Sequence, residues 1–271
     1  MEFLYFGHTD IGTTRETNQD ALVIKTMVLG DKKIAMGAVC DGVGGLSHGE
    51  KASSETAKRL SEWFDYEIPQ IIGQEDEEEI LINRWEQLIP EINEKIYEFG
   101  QNNNISLGTT MTAILVWDKK YLGAHVGDSR AYEIASDVYQ LTEDHSFLAR
   151  EVRCGRMTKE EAKHDKRSNL ILQCVGARPN VKPDFFRGNV RDLVTFLLCS
   201  DGFWHYISDE EMYEAFNPDH LKNADTIQKN VLDMMELMKQ RGERDNISVI
   251  VFRVASEIPQ VSEDKVITER V

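Results

Sequence analysis

Short apolar runs recur along the chain, with a few long helical periodicities between them. Ala21–Val28 and Lys33–Cys40 are rich in β-forming residues, and Gly30-Asp31 between them fits a hairpin turn. Thr110–Trp117, Tyr121–Val126, Arg130–Ile134, Leu193–Cys199 and Ile247–Val254 read as further strands. Several stand in near-adjacent pairs, too close for a crossover helix, which favours antiparallel meanders over βαβ units. Helical spacing marks Lys51–Phe64, with Ala57, Leu60 and Phe64 on one face. It also marks Glu78–Phe99, where Leu81, Trp85, Leu88, Ile92, Ile96 and Phe99 recur every three or four residues and Pro90 is expected to bend the helix. Ala224–Gln240 repeats Ile227, Val231, Met234 or Met235, and Met238, so its methionines are expected in the core. Ser208 with Glu211, and Thr158 with Glu161, have capping-box spacing and predict helix starts.

No internal repeat and no Gly/Ser-rich linker interrupts this pattern, so one domain is expected over residues 1–255, followed by a polar, aperiodic tail at 256–271. The acidic run Gln74–Glu79 reads as a solvated loop or helix entry. The 271 residues are 41% apolar, enough to bury a core without disulfides or a structural metal. Acids outnumber bases 47 to 31, for a formal charge of −16. No basic cluster offsets that excess, which argues against nucleic acid and against an anionic membrane surface. No apolar run approaches the roughly 18 residues of a spanning helix, and MEFLYFGHTD lacks the basic start of a leader. Cys40, Cys154, Cys174 and Cys199 show no CxxC pairing and read as buried free thiols of a reducing compartment. A soluble, cytoplasmic, monomeric protein is expected.

Four aspartates sit where strand-like runs meet turns. Asp41 and Asp201 follow apolar runs and precede glycine, Asp128 lies between two strands, and Asp245 comes just before the last one. Glycine beside a carboxylate lets backbone and ligand approach closely. Gathered at one sheet end, such carboxylates would repel unless a cation sat among them. Carboxylate, carbonyl and water ligands select hard ions, Mg²⁺ or Mn²⁺. A pair of such ions suits hydrolysis of a phosphate ester. Rival phosphoryl chemistries lack their spacings: no cysteine has arginine six positions on, and there is no Asp-x-Asp and no Gly-Lys. The histidines show neither HxH nor HExxH. His8, His145, His164 and His220 read as surface or structural groups, while His48 lies near the candidate site.

Arg15-Glu16-Thr17-Asn18-Gln19-Asp20, Asp41-Gly42-Val43-Gly44-Gly45, Gly108-Thr109-Thr110, Gly127-Asp128-Ser129-Arg130, Ser200-Asp201-Gly202 and Asp245-Asn246 occur in this order. Together they resemble the metal-dependent type-2C (PPM) serine/threonine protein phosphatases of the bacterial type, over about residues 4–254. The resemblance implies an α+β, four-layer α-β-β-α sandwich of two antiparallel sheets flanked by helices. It implies hydrolysis of phosphoserine and phosphothreonine in proteins by a hydroxide bridging two Mn²⁺ or Mg²⁺ ions, with a third, weaker ion in bacterial relatives and no organic cofactor. By the same resemblance Asp41 bridges both ions and the Gly42 carbonyl serves the second. Asp201 and Asp245 complete the first ion's shell, Asp128 joins Asp201 at the third site, Asp20 acts through water, and Arg15 holds the substrate phosphate. Residues 145–187 would form a flap beside the cleft, and a Ser/Thr protein kinase would be among the phosphorylated partners.

This chain also departs from the pattern. Gln19 stands where many eukaryotic members have glutamate, and Val43 where they have a histidine proposed as general acid. Leu46 replaces a histidine common in bacterial relatives, with His48 nearby, so the general acid stays open. The stretch 65–104 is longer and more acidic than in compact members. Two rival readings share the scaffold: an inactive binding module, and a phosphatase dedicated to a regulator of the anti-sigma-antagonist type.

Overall fold

The computed structural model describes residues 1–43, 48–163, 165, 167 and 170–256; Gly44, Gly45, Leu46, His164 and the tail from 257 onward lie outside the described residues. In chain order the elements are β1 (Glu2–Asp10), β2 (Ala21–Leu29), β3 (Lys32–Cys40), α1 (Gly49–Tyr66), α2 (Ile68–Ile71) and α3 (Glu77–Asn103). Next come β4 (Met111–Trp117), β5 (Lys120–Val126), β6 (Arg130–Ile134), β7 (Val138–Gln140), α4 (Phe147–Arg153) and α5 (Lys159–Lys163). The chain then forms β8 (Asp184–Asn189), β9 (Leu193–Cys199), α6 (Asp201–Trp204), α7 (Asp209–Phe216), α8 (Ala224–Gln240) and β10 (Ile247–Ala255).

The strands build two five-stranded sheets, ordered β1-β10-β9-β6-β7 and β2-β3-β4-β5-β8. Every neighbouring pair is antiparallel. Successive strand residues point to opposite faces, and here both faces of the central strands are covered. On β3, Ile34, Met36, Ala38 and Cys40 join the core under α1 and α3, while Ala35 and Val39 enter the layer between the sheets. On β10, Ile247, Val249 and Val251 pack beneath α7 and α8, while Ile250, Phe252 and Val254 face the other sheet. Double coverage explains why these strands read as unbroken apolar runs. The result is the α-β-β-α order of layers, with helices on both outer faces.

Helix starts follow their caps. The Ser208 hydroxyl accepts from the Glu211 N–H at 3.2 Å while the Glu211 carboxylate accepts from the Ser208 N–H at 3.0 Å. Thr158 and Glu161 repeat this at 3.2 and 2.8 Å. Met235 and Met238 lie in the core as expected, and α3 continues past Pro90 to Asn103. Among the described residues no helix is long and apolar enough to cross a membrane.

Two expectations need correction. The acidic run does enter a helix, α3, but Glu77 is buried rather than solvated: it accepts from the Gly73 N–H at 2.7 Å and the Trp117 indole at 3.0 Å, with Lys32 at 3.3 Å. These bonds replace its water and hold its pKa below the ordinary value despite burial. Of the four thiols, Cys40 and Cys199 are buried, but Cys174 is half-buried and Cys154 is exposed on the turn after α4.

Candidate active site

Strand register gathers the five aspartates at one end of the sandwich. Asp20 precedes β2 and Asp41 follows β3, whose pairing starts at Ala21↔Cys40. Asp128 precedes β6, Asp201 follows β9 and Asp245 precedes β10, where Cys199 faces both Arg130 and Val249. Asp128 lies in the β5–β6 connection, which carries the chain from one sheet to the other.

The β1–β2 loop is tied to the start of β10. Buried Asn246 donates to the carbonyls of Ile11 at 2.9 Å and Thr17 at 3.3 Å, and accepts from the Gln19 N–H at 2.8 Å. Gly12 closes the same contact: at φ +78° its missing Cβ would lie 2.0 Å from the Asp245 carbonyl oxygen. This loop brings Arg15 to Asp245. Its Nε and Nη2 donate to the two carboxylate oxygens at 2.7 and 2.6 Å, the fork geometry of a bidentate pair. The Asp245 bonds, with the charges of Asp41 and Asp201 nearby, raise the Arg15 pKa against partial burial.

Asp41 is fixed by the Gly108-Thr109-Thr110 turn. Its N–H donates to Thr110 Oγ1 at 2.9 Å, while its carbonyl accepts from the Thr109 hydroxyl at 2.9 Å and the Thr110 N–H at 2.7 Å. Gly42 donates to the Gln19 carbonyl at 3.1 Å, and a Cβ there would stand 2.6 Å from that oxygen. The Gln19 amide donates to Glu50 at 3.3 Å, so its side chain is engaged away from the aspartates. His48 also faces Glu50, at 3.4 Å. The Ser248 hydroxyl donates to Asp20 Oδ2 at 2.6 Å.

Electrostatics couple the five groups. Burial, then repulsion from Asp20, Asp201, Asp128 and Asp245, pushes the Asp41 pKa well above the carboxylate range. Burial raises Asp20 to about 7 against hydrogen bonds from Ser248 and Ser200, with Asp201 and Asp245 adding repulsion. Burial and Asp201 raise Asp128 to about 8, and Asp201 itself is raised by burial despite nearby His205. Oδ1 of Asp20, of Asp128 and of Asp201 is buried with no hydrogen-bond partner. Orphaned buried oxygens call for an explanation, and a hard cation supplies one: every donor in the cluster is oxygen. Among the described residues, no three acidic or imidazole groups already surround a single point closely enough to hold an ion. Asp245 is engaged by Arg15.

Three neighbours escaped the sequence reading. His205 Nδ1 is 3.5 Å from Glu243 Oε2; burial opposes its charge, but Glu243, Asp201 and Asp128 outweigh it and raise its pKa. Glu243 Oε1 accepts from the N–H groups of Arg244 and Asp245 at 2.6 and 2.8 Å and so shapes the Asp245 turn. The Trp204 indole donates to the Asp128 carbonyl at 3.0 Å, beneath the Arg130 guanidinium 3.3 Å from its ring centroid. The available signal was spacing, since His205 lies one helical turn beyond Asp201.

The two feet of the 145–187 segment meet near the Asp128 turn. His145 lies 3.1 Å from Asp184 through Nε2, and its Nδ1 accepts from the Gly127 N–H at 3.2 Å. Gln173 bridges the same feet, bonding the Lys182 main chain in both directions at 2.6 and 3.0 Å. His145 is thus a structural group, as expected.

Comparison with known proteins agrees with this geometry. The profile described as protein phosphatase 2C matches residues 12–247. A serine/threonine phosphatase stp of Listeria innocua is 31% identical over 248 residues, covering 90% of this chain and 92% of the relative. The crystal structure of serine/threonine phosphatase Stp1 from Staphylococcus aureus superposes with a TM-score of 0.81 at 30% identity, covering 94% of this chain and 96% of that one. The catalytic domain of serine threonine protein phosphatase PstP, solved in complex with two manganese ions, superposes at 0.74 with 28% identity, over 94% of this chain and 99% of that one. With the motifs in order, both sheets in register and a family match spanning most of its length, the chain belongs to the protein phosphatase 2C family.

Proposed function

We propose that this chain hydrolyses phosphoserine and phosphothreonine in proteins, using two Mn²⁺ or Mg²⁺ ions. The observation that carries the reading is the cluster of mutually repelling aspartates with orphaned oxygens, beside an arginine fork. Asp41 would serve both ions and the Gly42 carbonyl the second, Asp201 and Asp245 would complete the first ion's shell, and Asp128 with Asp201 would hold a third. Two hard cations, when bound, neutralise the cluster and acidify a water for attack on phosphorus. Arg15 exchanges the Asp245 carboxylate for two phosphate oxygens, which offer its fork a similar pair of acceptors. Asp20, held by Ser248, orders water beside the reacting phosphate. The side chain after Asp41-Gly42 is Val43, which has no titratable proton, so in this reading water held at the site supplies the proton for the departing alkoxide.

Substrates are phosphorylated proteins, with a Ser/Thr kinase of the same cell among them. In this reading the chain acts as a monomer. The test is turnover of p-nitrophenyl phosphate and of a phosphothreonine peptide with Mn²⁺, with EDTA as control. Mn²⁺-dependent release of phosphate, faster from phosphothreonine than from a phosphotyrosine peptide or a sugar phosphate, supports the proposal. Absence of turnover at every Mn²⁺ concentration would leave the inactive binding module, and exclusive action on small esters would exclude a protein phosphatase.

A further inference from the structure

The Val43 departure has a spatial counterpart. Val43, Ile171, Leu172, Gln173, Cys174, Ala177, Arg178 and Asn180 line a cavity of about 290 Å³. Val43 is two residues beyond Asp41, and two residues of extended chain span at most about 7 Å. The cavity therefore opens within one or two substrate residues of the phosphate position. Its walls are mainly apolar: Val43, Ile171, Leu172 and Ala177, with the Cys174 thiol pushed by burial up to about 11 and so uncharged.

The walls are built rigidly. The Val43 N–H donates to the Gly108 carbonyl at 3.0 Å, and Thr109 and Val175 exchange backbone bonds at 3.0 and 2.8 Å. Buried Asn93 of α3 accepts from the Gly176 N–H at 2.8 Å and donates to the Arg178 and Pro179 carbonyls at 3.0 and 3.1 Å. Gln173 is turned to Lys182 and His145, which removes its amide from the lumen. Arg178 is exposed at the rim, and among the described residues no carboxylate pairs with its guanidinium. In a chain of net charge −16 this cation stands against the prevailing sign.

We infer that this cavity is a specificity pocket for the phosphoprotein chain, taking an apolar side chain adjacent to the phosphorylated residue while Arg178 pairs with a carboxylate one position further out. The inference rests on the phosphatase reading and extends it to a substrate class: phosphosites flanked by an apolar and then an acidic residue. An apolar side chain leaving water for such walls contributes roughly tenfold in kcat/KM, and an exposed ion pair about threefold.

Two phosphothreonine peptides test it, one carrying Leu then Glu beside the phosphosite and one carrying Ala then Lys, made with the flank on either side. The expected result is a preference of roughly ten- to thirtyfold for the Leu-Glu peptide on one side. Arg178→Glu should reverse the Glu-over-Lys preference, and Ala177→Trp, which fills the lumen, should abolish the Leu-over-Ala preference. Both variants should keep p-nitrophenyl phosphate turnover within about twofold of wild type. Equal kcat/KM for both peptides on either side, or unchanged preferences in the two variants, overturns the pocket. Lack of Mn²⁺-dependent p-nitrophenyl phosphate turnover in the wild type overturns the phosphatase reading instead. Fluorescence anisotropy with the same labelled peptides reads the pocket without turnover, and equal affinities would sink it there too.

Discussion

An asparagine at position 41 keeps the size and planarity of the aspartate and removes one negative charge from a group that feels four like neighbours. If Asp41 holds the ions, Asp41→Asn should lower kcat on a phosphopeptide by roughly 10²- to 10³-fold, measured at saturating Mn²⁺. The same change should leave the EDTA-treated protein at least as heat-stable as wild type, because it relieves repulsion; a clear fall in Tm would contradict that account of the cluster. Arg15→Lys exchanges a planar fork for a point charge, so KM for phosphopeptide should rise about tenfold while kcat changes little. Asp41, Asp128, Asp201 and Asp245 were legible because glycine, serine or asparagine stands beside each at a strand end, whereas Asp20 entered only through the family resemblance. Glu243 was not legible, since its importance comes from a contact with His205 across 38 residues of sequence that no local pattern records.

At the scale of elements, α3 reaches further than its amphipathic spacing suggested. Through Asn93 it anchors the 176–180 turn, and Asn93→Ala would strand a buried N–H at Gly176. That loss should cost about 2 kcal/mol in denaturant unfolding, and it should raise KM for a phosphopeptide more than for p-nitrophenyl phosphate. Central strands were readable from sequence because both of their faces are buried. Strands β1, β7 and β8 lie at sheet edges with mixed burial, so their apolar signal is diluted. Helices α2 and α6 span four residues each, too short to display a period. Glu77 looked solvated because its partners, Trp117 and Lys32, come from β4 and β3.

Across the whole molecule the acid cluster sets a pH dependence. Unfolded aspartate titrates near 4, whereas burial and repulsion raise folded Asp20 to about 7 and Asp128 to about 8. Between about pH 4 and 8 the metal-free folded state therefore binds more protons than the unfolded chain, so its stability should fall as pH rises through that window. Mn²⁺ held by these carboxylates, as proposed, would replace those protons. The Tm difference between Mn²⁺-loaded and EDTA-treated protein should widen from pH 5.5 to 8.5; a constant difference would show that these carboxylates do not meet the ion. A last consequence follows from the first strand's partner. β1 pairs along its length with β10, from Glu2↔Ala255 to Asp10↔Ile247, and the loop bearing Arg15 and Asp20 is fastened by Asn246. On a ribosome, β1 and this loop must wait for β10, made only after every other strand of the two sheets, before they have anything to rest against. Catalytic competence should thus arrive abruptly with the final strand, and a growing polypeptide should stay silent until then.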